Sequence, residues 1–154
     1  MKILLLPLAL LLCHRAPGPP PIVLKGYWAC ESALLEDTGD ALVCYASAQR
    51  ACRHGQVILA FEKRVSKRDE KPVFEILDTV HVRTAGPNNE LAITRCTATN
   101  GKARLYFVLF NNTSPNSSKT LRNIKRLWGV SARNQLVAVP GKAIKCLNSD
   151  FGAD

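Results

Sequence analysis

The side chains best able to do chemistry are six cysteines, Cys13, Cys30, Cys44, Cys52, Cys96 and Cys146. Cys13 falls in an N-terminal leader-like segment, so five remain for the mature chain, and an odd number leaves one thiol over. A spare thiol attacks substrates only as a thiolate, which needs a cation, a helix N-terminus or a metal beside it. No partner arrangement of that kind is visible, so the expectation is disulfides plus one inert, buried cysteine. His54 and His81 have no further ligands at metal spacing, and no zinc site is expected. A Gly-rich phosphate loop, a nucleophile elbow and a paired-carboxylate pattern are all missing. The chemistry therefore points to binding rather than catalysis, without a cofactor. One further modification is legible. Asn111-Asn112-Thr113, Asn112-Thr113-Ser114 and Asn116-Ser117-Ser118 are acceptor sequences for N-linked glycans at Asn111, Asn112 and Asn116.

The start of the chain reads as an export signal. Lys2 is followed by a short apolar core, Ile3 to Leu12, then by Arg15-Ala16-Pro17-Gly18. Such a core is too short to span a bilayer, so residues 1–18 are expected to be a cleaved signal peptide and the protein to be secreted and not membrane-spanning. Residues 19–154 have room for one domain. The formal charge is +9. Basic residues gather at Lys63-Arg64, at Lys67-Arg68 with Lys71, and at Lys119, Arg122, Lys125 and Arg126. A solvated face explains such clusters, and an anionic surface partner is the functional reading. Nucleic acid is not expected, because basic and aromatic residues are not interleaved.

Short alternating segments run through the middle of the chain. Leu34-Leu35 and 41–46 flank the turn Thr38-Gly39-Asp40. Val57, Leu59 and Phe61 alternate with Ile58, Ala60 and Glu62; Phe74 with Ile76, and Val80 with Val82, continue the pattern. Leu91 and Ile93 open another strand, and Asn100-Gly101 is a hairpin signal leading to 104–110. That last segment is apolar on both faces: Leu105, Phe107 and Leu109 on one, Tyr106, Val108 and Phe110 on the other. Both faces need cover. Leu121, Ile124 and Trp128 recur at helical spacing, with Ser117 or Ser118 as N-cap and Gly129 as the stop, so a helix is expected there. Gln135 to Val139 is extended again, and Pro140-Gly141 leads to Cys146.

Buried strand, helix, short strand and tethering cysteine, together with Gly26-Tyr27-Trp28 near the mature N-terminus, resemble the lipocalins. These are secreted barrels that carry small apolar molecules. The resemblance implies an all-β fold, an antiparallel up-and-down barrel in abbreviated form, closed by one C-terminal α-helix. It implies that Gly26 and Trp28 form the barrel base. It implies a disulfide between Cys52 and Cys146, which lie 94 positions apart. One relative in that family isomerises its substrate with an in-barrel cysteine, a remote alternative here. The implied function is transport of a fatty acid, retinoid, steroid or odorant in a cavity lined by Val57, Leu59, Phe61, Phe74, Ile76, Leu91, Ile93, Leu105, Phe107 and Leu109. The alternative is a secreted interaction protein with a filled core and a basic binding surface.

Overall fold

The computed structural model describes residues 22–53, 55–98, 101–113 and 118–152, so the expected signal peptide, His54 and Asn116 lie outside the described residues. The fold is all-β. Strands β1 (Trp28–Leu34), β2 (Ala41–Ala46), β3 (Gln56–Arg68) and β4 (Lys71–Arg83) form a four-stranded antiparallel meander in chain order. Strands β5 (Asn89–Ala98), β6 (Ala103–Asn111), β7 (Ile124–Val130) and β8 (Leu136–Val139) form a second meander, with β9 (Ile144–Cys146) added beside β5. The hairpins follow the expected turn chemistry. Gly39 takes φ +71° between β1 and β2, where the Leu35 N–H bonds the Asp40 carbonyl.

The two sheets face each other across one apolar cluster. Leu42, Cys44, Val57, Leu59 and Phe61 from the first sheet meet Phe107, Leu109, Trp128 and Leu136 from the second. The ladders do not close into a barrel. In an up-and-down barrel β4 would pair with β5 and β8 would return to β1. Here β4 lies against β8 and β1 against β5, and the link 84–88 carries the chain from one seam to the other. Two buried polar residues bracket that link. The Thr84 N–H donates to the Gly55 carbonyl, and its hydroxyl accepts from the Gly55 N–H. Asn89 donates its amide to the Ala85 carbonyl.

Side chains serve the seams where a closed barrel would use backbone. The Glu31 carboxylate accepts the Ile93 N–H at 3.1 Å, and the Asp78 carboxylate accepts the Leu136 N–H at 2.7 Å. Edge donors left unpaired would be templates for other chains; a charged acceptor satisfies them and blocks that pairing.

Among the described residues the expected helix is absent, and its segment ends in strand β7. Asn123 turns the backbone through φ +53°, and β7 then pairs with β6. A register shift between Leu109 and Phe110 leaves Lys125 without an opposite residue. Ile124 therefore packs in the outer cluster with Phe110, whereas Trp128 packs inside with Phe107. The helical spacing of Leu121, Ile124 and Trp128 is a coincidence of a loop followed by a bulged strand. Gly129 is not a helix stop. A Cβ there would lie 2.6 Å from Cε1 of Tyr106, so its bare backbone makes room for that ring. Ser118 turns its hydroxyl to the Thr120 N–H rather than capping a helix, and Ser117 lies outside the described residues.

Cover for both faces of β6 is nevertheless present. Val108 and Phe110 pack with Leu127, Cys96 and Cys146 in a second cluster, closed over by Leu121, Ile124, Val139 and Ile144. A loop and the C-terminal strand supply what a helix was expected to supply.

Strands β3 and β4 outrun their neighbour. β2 pairs only with Val57 to Glu62, so the ladder of Lys63 to Arg68 is with β4 alone, and at its base the Arg64 N–H donates to the Asp40 carboxylate. This two-stranded arm ends in Asp69 (φ +49°) and Glu70 (φ +65°), both left-handed. Hairpin turns of that hand favour Gly at the second position, and any other residue there is strained. Glu70→Gly is expected to stabilise the fold by about 0.5–1 kcal/mol, read as a higher urea midpoint at unchanged slope. A lower midpoint would contradict the turn geometry.

Candidate functional site

Three turns meet at one end of the sheets and leave a cleft of about 450 Å³ between them. The β1–β2 turn supplies Leu35 and Glu36, the β5–β6 end supplies Lys102 to Tyr106, and the β7–β8 turn supplies Val130, Ser131 and Asn134. Its floor is Phe61, only 1% exposed and part of the intersheet core. Leu35, Leu105 and Val130 make apolar walls, and Lys102, Arg104 and Asp37 stand on the rim. Arg95 and Glu36 form an ion pair across the mouth, linking β5 to the β1–β2 turn. The size falls within the usual range for small-molecule pockets. An apolar floor beneath a charged rim suits an amphiphile, whose tail is buried and whose head stays near water.

The ten residues expected to line a central cavity are distributed differently. Val57, Leu59, Phe61, Phe107 and Leu109 are packed core, and Leu91, Ile93 and Leu105 pack against that core. Only Phe61 and Leu105 of the ten reach the cleft. Phe74 and Ile76 belong to the opposite face. Phe61 pairs with Asp78 but Glu62 pairs with Ile76, so Leu77 is bulged and everything beyond it changes sides. Simple alternation could not reveal this, since a bulge carries no mark in the sequence of one strand.

Gly26 and Trp28 do not form a barrel base. Trp28 is 59% exposed at the start of edge strand β1, paired with Ala46. Gly26 has φ +83° in the turn where the Tyr27 N–H bonds the Leu24 carbonyl, and that backbone conformation is its role.

The cysteines also pair otherwise than the resemblance implies. The disulfides are Cys30–Cys52 and Cys96–Cys146. The reason is register: Cys96 and Cys146 stand opposite one another in the β5–β9 ladder, while Cys52 ends a 3-10 turn (Gln49–Cys52) that reaches Cys30 in β1. Cys44 is the free cysteine among the described residues, 3% exposed on the interior face of β2. Burial, with the Glu31 charge as a smaller cause, pushes its thiol up to about 12. That is the reverse of what a nucleophilic thiolate needs. No group of three or more potential metal ligands occurs among the described residues.

Of the glycan acceptors, Asn111 ends β6 and is half-buried. Asn112 donates its side-chain amide to Glu90 at 2.7 Å. That amide nitrogen is the atom a glycan would take, so modification at Asn112 would leave it one N–H to donate in place of two. On the first sheet, the Tyr45 hydroxyl donates to the Glu62 carboxylate. Burial, and then that hydrogen bond, raise the phenol well above its ordinary range.

No family model, curated protein or solved structure matches the chain. Its two disulfides are compatible with an oxidising, extracellular setting, and among the described residues no helix is long and apolar enough to cross a membrane.

Proposed function

We propose that this is an extracellular binding protein that carries a small apolar or amphiphilic molecule, of fatty acid, retinoid, steroid or odorant type. The ligand sits in the cleft at the end of the two sheets rather than in a central barrel cavity. The observation that carries this reading is the cleft whose half-buried apolar walls, Leu35, Leu105 and Val130, stand over the buried ring of Phe61. Burying apolar ligand surface there is worth about 25 cal/mol per Å². The likeness to lipocalins contributes the ligand class and the secreted setting; the barrel itself is not carried over. Lys102, Arg104 and Asp37 on the rim suit a ligand with a polar head. The alternative, an interaction protein with a filled core, draws support from the packed centre and from the basic second sheet.

Titration of the protein with a fluorescent fatty acid tests the reading. Saturation at one ligand per chain is expected. Leu105→Trp, which fills the cleft from its wall, should weaken binding at least tenfold, a change of about 1.4 kcal/mol. Absence of uptake, or uptake indifferent to that substitution, would move the function to the interaction reading.

A further inference from the structure

Charge divides sharply between the sheets. From Ile22 to Asn88, which builds the first sheet and the link after it, nine Lys and Arg face nine Asp and Glu. From Asn89 to Ser149, which builds the second sheet, there are ten Lys and Arg and one acidic residue, Glu90 at the start of β5. Such segregation gives one half of the molecule a predominantly positive field.

That field has a focus. A depression of about 450 Å³ lies between the start of β7 and the turn after β8, lined by Lys125, Arg126 and Lys142, with Arg122 next to it in the chain. All four side chains are exposed. Lys125 donates to the Asn89 side-chain oxygen, and none of the four has an ion-pair partner among the described residues. The floor, Leu121, Ile124, Leu127 and Val139, is packed into the outer cluster.

We infer that this depression is a docking site for a linear sulfated polysaccharide. Three cations around one depression, with no carboxylate in its lining, match an extended polyanion better than a single small anion. The lining has no aromatic ring on which a nucleic-acid base could stack. Its apolar residues are recessed rather than projecting, so the site offers nothing to insert into a bilayer. In the oxidising setting that the disulfides favour, sulfated polysaccharides are the linear polyanions at hand. The site lies apart from the end cleft and shares no lining residue with it.

The test compares two triple variants that lose equal charge. Lys125→Gln with Arg126→Gln and Lys142→Gln removes the three lining cations. Lys63→Gln with Lys67→Gln and Arg68→Gln removes as much charge from the arm of the first sheet. Affinity for a heparin octasaccharide is measured at ~0.15 M salt, with thermal melts verifying the fold. The patch variant should bind at least tenfold more weakly and the arm variant within twofold of the parent. For the unsubstituted protein, log affinity should fall with log salt at a slope of roughly three, one for each of the cations that line the depression. The proposal is overturned by equal losses in the two variants, by no salt-dependent heparin binding, or by phosphatidylserine vesicles competing as well as heparin. Fatty-acid uptake should be the same in all three proteins, so this result and the cleft result stand or fall separately.

Discussion

Phe107→Ala should destabilise the protein by about 3–5 kcal/mol, the cost of deleting a large aromatic ring from a packed interior. Phe107 is fully buried, between Ile93 and Trp128 in the ladders of the second sheet, and belongs to the cluster that joins both sheets. Its loss leaves a void that the flanking strands cannot collapse into without breaking backbone hydrogen bonds. In a domain of this size, the melting temperature should fall by about 10–20 °C. Urea unfolding at unchanged slope is the cleaner measure. The experiment also decides between two interiors. A central ligand cavity would already lack contacts around Phe107, and the loss would then be below about 1 kcal/mol.

Removal of the Cys96–Cys146 disulfide should have the next largest effect. The bridge closes a loop with a sequence separation of 50 residues. Chain-entropy reasoning puts its contribution at about 4 kcal/mol, with about 2–4 kcal/mol typical of measured bridges. Both sulfurs are fully buried in the outer cluster, so paired substitution by alanine is a better test than serine, which would bury a hydroxyl. The effect should be local before it is global. The Cys146 carbonyl accepts the Leu121 N–H, and the Leu147 N–H bonds the Arg95 carbonyl. Those two amides should lose protection from hydrogen exchange in the double variant while β2 and β3 retain theirs. Non-reducing peptide mapping checks the premise: Cys96 with Cys146 and Cys30 with Cys52 are expected, and a Cys52–Cys146 peptide would contradict it.

Much of the strand content was legible because alternation and turn chemistry are local. Gly39 marks its hairpin for the same reason that it occupies φ +71°. The demand that β6 be covered on both faces was legible too, since burial pattern alone states it. What could not be read was the identity of the cover. Leu121, Ile124 and Trp128 fit a helix by spacing, but the choice was made by distant contacts: Trp128 against Phe107, and Gly129 beneath the Tyr106 ring. The bulge at Leu77 is equally silent, and it alone moved Phe74 and Ile76 out of the expected interior. Disulfide partners follow register between strands far apart in sequence, which spacing within the chain does not encode. The end cleft was missed for a related reason. Its walls come from three turns, and only Phe61 and Leu105 carried a signal that alternation could detect.

The most direct test of the proposed function is to map where an apolar ligand binds. Methyl resonances of Leu, Val and Ile are followed by NMR as a fatty acid is added to the delipidated, disulfide-bonded protein. The cleft account predicts shifts concentrated at Leu35, Leu105 and Val130, with Val57 and Leu59 unmoved because they lie in the packed core. Shifts centred on Val57 and Leu59, or no saturable shifts at all, would contradict it.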